Sequence, residues 1–315
     1  MGELHITVSK DIYSAGWLGS TSKNRQVIVE WAGVQSGFNI AATGYSQLLK
    51  RIILRWSQLR SAVKEQKFLI LQNLGHCLDL INKRIGIISA WPLDHPGETF
   101  PEPKSLHDVL ISPQPEWKLS LQARFQLAHT LANYLLHFHS QGVFHKNLSP
   151  DSIRFFPSSM KEADVVDCFK RPYLMGLFTE KRSNALDMVL KPRELQPEYL
   201  HPNLRPYIVK DSYIPIYDYY SLGIVLLEIG LWKSFRGWWP YAGNEADSEK
   251  RLLDRFVVEL KRTMGDRYCR AVELCLWGEW KNPNSKAYEE TTVHNAYIHD
   301  MFKKEVVDAL AIFEL

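Results

Sequence analysis

The side chains best suited to catalysis or ligand binding are concentrated between Val143 and Ile153. The polar members of this segment are His145, Asn147, Ser149, Asp151 and Ser152. Proton transfer in catalysis needs a group such as a histidine or a carboxylate, and magnesium-bound phosphate needs carboxylate or amide oxygens as metal ligands. Asn147 offers an amide that cannot take up a proton, and the two serines offer only hydroxyls. The segment therefore has the composition of a reactive loop with few reactive groups.

This segment resembles the catalytic loop of eukaryotic protein kinases, whose pattern is H-R-D-L-x-x-x-N. The matching positions are His145, Leu148 and Pro150. The resemblance implies that Asn147 stands where kinases have the Asp that accepts the substrate proton. It also implies that Ser149 replaces a phosphate-neutralising Lys and that Ser152 replaces the Asn that holds magnesium. His145 would keep a structural role, bonded to the backbone.

The resemblance extends to the predicted strand over residues 25–31, where Glu30 replaces the lysine of the V-A-I-K motif. A carboxylate there would repel nucleotide phosphates. The helix predicted over residues 45–62 contains no Asp or Glu, so the acidic partner of that lysine is also missing. Two interpretations stay open: an ion pair of reversed polarity between Glu30 and Lys50 or Arg51, or a basic helix face in solvent.

A second magnesium ligand is missing at Leu174. Kinases carry D-F-G at the corresponding strand end, and the resemblance keeps Gly176 but replaces the metal-binding Asp by Leu174. Asp164 and Asp167 lie upstream of the strand, behind an insertion, and are not convincing substitutes.

Two glycines near the start of the chain, Gly16 and Gly19, lie between strand-like segments. They fit a hairpin, or less well a G-x-G-x-x-G phosphate loop. The bulky neighbours Trp17 and Leu18 favour the hairpin.

The most specific match is residues 217–232, which resemble the D-x-x-S-L-G-x-x-L-x-E central helix of kinases. It contains Asp218 and Gly223. We expect Asp218 to accept hydrogen bonds from the backbone of the loop at His145, because a buried carboxylate is tolerated only when its oxygens are satisfied. Two positions compete for the A-P-E motif upstream. They are Pro197-Glu198 and Pro202-Asn203, and the distance to Asp218 favours the second.

Hydrophobic periodicity predicts an α+β protein. Strands are predicted over 5–8, 25–31, 74–79 and 84–90, and helices over 45–62, 105–110, 120–139, 217–232, 248–263 and 299–313. Together with the motifs, this order implies one bilobal protein-kinase-like domain. Its small β-rich N-lobe would cover residues 1–92 and its larger helical C-lobe residues 93–315.

Composition limits the function classes. The net charge of +3 and the 45% hydrophobic content describe a folded protein with no general attraction to nucleic acid. The four cysteines show no metal spacing and indicate reduced thiols in a cytoplasmic protein. We expect no signal peptide and no membrane anchor in this chain. No metal site is expected, since His129, His137, His139 and His145 form no known ligand motif.

The motifs together resemble a narrower family, the kinase-like domain of fungal heterokaryon-incompatibility and prion-inhibition proteins, often joined to a HeLo domain. The resemblance implies a catalytically inactive signalling or scaffolding module (a pseudokinase) in self/non-self recognition or cell death, with protein partners. No cofactor is expected, although ATP binding without magnesium stays open. One alternative is an atypical Ser/Thr kinase that uses displaced residues such as Asp151 or Asp167, and another is a different transferase on the same fold.

Several tryptophans cluster in the second half of the chain, and we expect most of them in the core, with an exposed binding patch as the alternative. They are Trp232, Trp238, Trp239, Trp277 and Trp280.

Overall fold

A computed structural model of the chain describes residues 3–9, 12–18, 24–33, 70–79, 84–92, 101–176, 196–204, 213–236, 246–278, 280 and 291–311. The protein is a mixed α+β structure. It divides into two compact units. Unit 1 consists of Met1–Lys104 and Arg154–Leu195, and unit 2 consists of Ser105–Ile153 and Gln196–Leu315.

Unit 1 is built on a five-stranded antiparallel sheet with the order β1-β2-β3-β5-β4. Its strands are β1 Glu3–Ser9, β2 Ile12–Leu18, β3 Asn24–Gly33, β4 Asn73–Asp79 and β5 Arg84–Ala90. β3 lies at the centre, and its β-branched run Val27-Ile28-Val29 is buried. Such residues favour extended backbone because branching at Cβ restricts χ1.

A small aromatic core packs against β3. Ile28, Leu71, Trp91 and Phe156 are buried together, with Tyr173 and Met175 partly buried against them. The ring of Phe156 meets Trp91 edge-on at 5.2 Å between centroids, and it meets Tyr173 in the same way at 5.1 Å. Edge-to-face pairs of this kind add about 0.5–1.5 kcal/mol to the burial energy.

Three short strands form a second sheet in the order β6-β7-β8, with β6 at Lys104–Ser105, β7 at Ile153–Phe155 and β8 at Tyr173–Leu174. Between β7 and β8 lies a short helix, α3, that the sequence analysis did not predict. It spans Glu162–Cys168 and contains Asp164 and Asp167.

Unit 2 is helical apart from its share of the short strands. Its helices are α1 Leu106–Leu110, α2 Leu121–Ser140, α4 Pro215–Leu231, α5 Ala246–Trp277 with an interruption at Gly265, and α6 Thr291–Phe302. A π-helical turn over Lys303–Val307 and a last helical turn, Asp308–Leu310, continue α6. None of the helices in the parts of the chain described above is long and apolar enough to cross a membrane.

Side-chain caps fix the starts of α1 and α2. Ser105 and Asp108 form a reciprocal capping box, and Ser120 Oγ accepts a hydrogen bond from the Ala123 amide. Each cap satisfies amide groups that have no partner within the helix. The helices predicted over 105–110 and 120–139 are thus confirmed, with Ser105 itself as the cap of the first.

α4 is buried on all sides from Tyr217 to Leu231, as expected for a helix that is apolar around its whole circumference. Gly223 allows the close approach of α5. A Cβ atom at this position would lie 2.9 Å from Cys275 Cβ and 2.9 Å from Leu276 Cδ2. The glycine is therefore a packing requirement of the pair formed by α4 and α5.

Two predicted elements need correction. Gly16 lies within β2, opposite His5 and Asn24, so it does not belong to a turn or a phosphate loop. The last helix begins at Thr291 instead of near residue 299. Its early turns carry a mixed polar sequence with little periodicity, which hid them from pattern analysis. The predicted helix over 45–62, Gly19, Trp238 and Trp239 lie outside the described residues.

Gly223→Ala should lower the free energy of unfolding by about 1–2 kcal/mol, because overpacking against α5 outweighs the helical preference for alanine. Urea unfolding followed by circular dichroism measures this. Gln122→Ala on the exposed face of α2 is the matched control and should be nearly neutral. Equal effects of the two substitutions would contradict the packing role of Gly223.

Candidate functional site

The candidate site of unit 2 is the loop between α2 and β7. α2 ends at Ser140, and Gly142 reverses the chain with φ 68°. Val143 and Leu148 are buried, while Lys146 adopts a left-handed backbone with φ 65°. A left-handed residue with a side chain is strained and must be held by its surroundings.

The carboxylate of Asp218 supplies that hold. Oδ2 accepts a hydrogen bond from the His145 amide at 2.7 Å, and Oδ1 accepts one from the Lys146 amide at 2.8 Å. The Tyr213 hydroxyl donates to Oδ1 at 2.7 Å, and His139 Nε2 lies 2.9 Å from Oδ2. These are the backbone hydrogen bonds that the sequence analysis expected for Asp218.

The environment of Asp218 keeps this buried carboxyl ionised. Burial raises its pKa, but the hydrogen bond from His139 and the nearby imidazoles lower it more, so the net pKa is about 2. Hydrogen bonds to the charged form are what make such burial tolerable. Its position in the first turn of α4 adds the favourable field of the helix N-terminus.

His145 has a structural role within the loop. Its side chain is fully buried, and Nδ1 accepts a hydrogen bond from the Asn147 amide at 3.3 Å. Asn147 itself is half-buried. Asn147 therefore gives the loop an amide side chain, which cannot accept a proton.

The hydroxyl of Ser152 is used inside the loop. Ser152 Oγ accepts a hydrogen bond from the Ser149 amide at 3.0 Å and donates one to the Ser149 carbonyl at 2.8 Å. Both residues are buried. The two hydrogen bonds close the short 3-10 turn Pro150–Ser152 and direct the Ser152 hydroxyl at the backbone of Ser149.

Asp151 is the one carboxylate of this loop, and it is hydrogen-bonded to other side chains. Its Oδ2 accepts hydrogen bonds from the Arg236 guanidinium and the Gln196 amide. Burial acts to raise the pKa of Asp151, but the bond from Gln196 and the charge of Arg236 lower it overall. A carboxylate so paired is a poor proton acceptor. Sequence reasoning missed both partners.

In unit 1, Glu30 and Gly176 lie together. Glu30 Oε1 accepts a hydrogen bond from the Gly176 amide at 2.6 Å. Gly176 has φ 80°, a conformation that favours glycine. Sequence reasoning identified both residues separately and did not connect them. The alternative partners of Glu30, Lys50 and Arg51, lie outside the described residues.

Leu174 is buried at 2% exposure on β8 and offers no metal ligand. Asp167 forms exposed ion pairs with Lys170 and Arg171, each at 3.1 Å. No group of three or more His, Cys, Asp or Glu side chains among the described residues could hold a metal ion.

A second buried carboxyl, Glu228, lies on α4. Its Oε1 accepts hydrogen bonds from the Tyr199 hydroxyl at 2.9 Å and from the Phe235 amide, while Oε2 has no hydrogen-bond partner among the described residues. Burial raises the pKa of Glu228 to about 8, although those two hydrogen bonds and Arg236 oppose the shift. Glu228 is therefore largely protonated at neutral pH. Sequence analysis gave it no role beyond its place in the helix motif.

The two competing A-P-E positions differ in burial. Glu198 is buried within the 3-10 turn Pro197–Tyr199, and Pro202 is exposed at the start of the turn Pro202–Leu204. Ser221 Oγ donates to the Tyr199 carbonyl at 2.7 Å, which joins the first turn to α4. The first position is thus the one integrated into the core of unit 2.

Comparison with known families gave one match. A family model described as a domain of unknown function (DUF7580) matches residues 61–308. No curated protein matches the sequence.

Asp218→Asn should lower the free energy of unfolding by about 1–3 kcal/mol, because one oxygen becomes an amide that faces donors in a buried site. Urea unfolding at neutral pH tests this. Asp167→Asn removes an exposed carboxylate and should cost less than about 0.5 kcal/mol. If the two variants were equally stable, the anchoring role of Asp218 would be wrong.

The titration of Glu228 should lower the free energy of unfolding as the pH rises from 4.5 to about 8. The folded state holds the proton up to about pH 8, whereas the unfolded chain releases it near its ordinary value of 4.5. The stabilising contribution is therefore complete below pH 4.5 and is lost as the pH rises to about 8. Glu228→Gln cannot titrate, so the stability difference between variant and wild type should shift in favour of the variant over this range. Urea unfolding from pH 5 to pH 9 measures the difference, and a flat profile would contradict the assignment.

Proposed function

We propose that this chain, which belongs to the DUF7580 family of domains of unknown function, is a bilobal protein-kinase-like domain that does not transfer phosphate. It acts as a signalling or scaffolding module. Three features support this: the carboxylate of Glu30 next to Gly176, the side chains of the loop after α2, and the ion pair of Asp151 with Arg236.

The observation that carries the proposal is the hydrogen bond between Glu30 and Gly176. In the kinase interpretation, these are the positions of the phosphate-binding lysine and the metal-binding D-F-G turn. A carboxylate bonded to that turn brings negative charge to a place where catalysis needs a cation and a metal ion. Glu30 therefore does not supply the positive charge that a bound triphosphate needs.

The loop supports the same conclusion. Asn147 cannot accept a proton, Ser152 bonds to the backbone of Ser149, and Leu174 has no oxygen to offer a metal. Phosphoryl transfer depends mainly on positioning and electrostatic stabilisation, so loss of a general base alone would leave some activity. Loss of the lysine and both metal ligands removes the larger contributions.

The atypical-kinase alternative receives less support. Asp151 would have to leave Arg236 and Gln196 before it could act as a base. Asp167 lies on α3 and forms ion pairs with Lys170 and Arg171, and half of its side chain is exposed. Neither carboxylate is available as an unpaired base.

The proposed setting follows from the resemblance to fungal heterokaryon-incompatibility and prion-inhibition proteins. We place the chain in cytoplasmic self/non-self or cell-death signalling, where it would act through protein partners. ATP without magnesium is a possible ligand of such a module but is not required by the proposal.

Radiolabelled ATP with magnesium should give no transfer to the chain itself or to a generic protein substrate. A thermal-shift assay with ATP, with and without magnesium, runs in parallel. Stabilisation by ATP without transfer would identify a nucleotide sensor and would agree with the proposal. Transfer that Asp151→Ala abolishes and Asp167→Ala leaves intact would overturn it in favour of the atypical kinase.

A further inference from the structure

Unit 2 carries an open groove between the second half of α5 and α6, with a volume of about 680 Å³. Leu274 and Trp277 line it from α5, and Tyr297 and Met301 line it from α6. The spacing of three residues in the first pair and of four in the second places the side chains on one face of each helix. We refer to this feature as the α5–α6 groove.

Trp277 is the unusual member of this groove. It is 36% exposed, whereas Trp280 nearby in the chain is only 4% exposed. The sequence left open whether these tryptophans belong to the core or to a surface patch, and Trp277 now falls on the surface. An exposed tryptophan beside apolar neighbours is typical of a protein interface.

The charges around the groove are unbalanced. Its lining contains two cations, Arg270 and Lys304, and three carboxylates. Both cations lie against the same carboxylate, Glu305, at 3.3 Å and 3.5 Å. The other carboxylates, Glu273 and Asp300, have no Lys or Arg partner among the described residues.

The open carboxylates lie close in sequence to the aromatic residues. Glu273 is one helical turn before Trp277, and Asp300 is three residues after Tyr297. Glu273 and Asp300 are exposed, and His299 Nδ1 lies 3.8 Å from Asp300 Oδ1. The groove therefore combines aromatic surfaces with two exposed carboxylates that have no Lys or Arg partner in the part of the chain that the structure describes, and this combination attracts a cationic side chain.

We propose that the α5–α6 groove binds a segment of a partner protein that presents an arginine or lysine flanked by apolar residues. The cation lies against Trp277 or Tyr297 and is neutralised by Glu273 and Asp300, while the apolar neighbours cover Leu274 and Met301. An anionic partner is disfavoured because the three carboxylates of the lining outnumber its two cations. The inference rests on the binding-module part of the proposed function and is independent of nucleotide chemistry.

The direct test is fluorescence anisotropy with a labelled peptide of sequence GLRLLRLG, compared with the same peptide carrying Glu at both Arg positions. The basic peptide should bind the wild-type chain at least tenfold more tightly than the acidic one. The double substitution Glu273→Gln with Asp300→Asn should weaken binding of the basic peptide about tenfold, since it removes two charge interactions. Trp277→Ala should weaken it about fivefold through loss of the cation–π contact and the apolar surface.

Matched controls lie on the first half of α5. Asp254→Asn removes an exposed carboxylate, and Val258→Ala removes an exposed apolar side chain, both away from the groove. Neither should change peptide binding. Circular dichroism checks that every variant is folded.

Three results would overturn the inference. The first is equal or tighter binding of the acidic peptide, and the second is no saturable binding of either peptide. The third is concentration-dependent self-association in sedimentation that Trp277→Ala abolishes, which would make a second copy of the chain the occupant. Because no nucleotide is present, these results are separate from the transfer assay, so either proposal can fail alone.

Discussion

The bonds between Asp218 and the backbone of the loop at His145 are the constraint on which unit 2 depends. A carboxylate that is fully buried on α4 is tolerated because backbone amides, a hydroxyl and an imidazole surround it. In return, it holds Lys146 in a left-handed conformation that would otherwise relax. The arrangement also requires α4 to stay in place, and the close approach of α5 at Gly223 helps to secure it.

The other acidic groups show the same principle. Glu30, Asp151 and Glu228 each accept hydrogen bonds from groups of their own unit. In each of them, the oxygen that accepts these bonds is directed at a donor of the protein itself. The second oxygen of Glu228 is buried and has no hydrogen-bond partner in the described part of the chain. These three carboxyl groups therefore connect separate segments of their own unit through hydrogen bonds.

Periodicity and local signals predicted the helix that begins after Ser105 and strands β3 to β5. The bonds of Asp218 to the distant loop were expected only because residues 217–232 resemble a known helix motif. The pairing of Asp151 with Arg236 joins residues far apart in the chain, and no local pattern encodes it. Helix α3 is too short for periodicity to reveal it. Exposure of Trp277 beside buried Trp280 depends on how α5 ends, which composition does not determine.

Residues that anchor the backbone and residues that react with a substrate place opposite demands on a protein. Reactive groups are held in open, partly unsatisfied positions, and such positions generally lower stability. Here Ser152 bonds to Ser149 inside its own turn, so the loop satisfies its polar groups without metal or substrate. Residues such as Asp218 cannot be exchanged in this way, because their hydrogen bonds hold the backbone itself. The shape of the loop therefore depends on the hydrogen bonds of Asp218, while the hydroxyl of Ser152 is satisfied within its own turn.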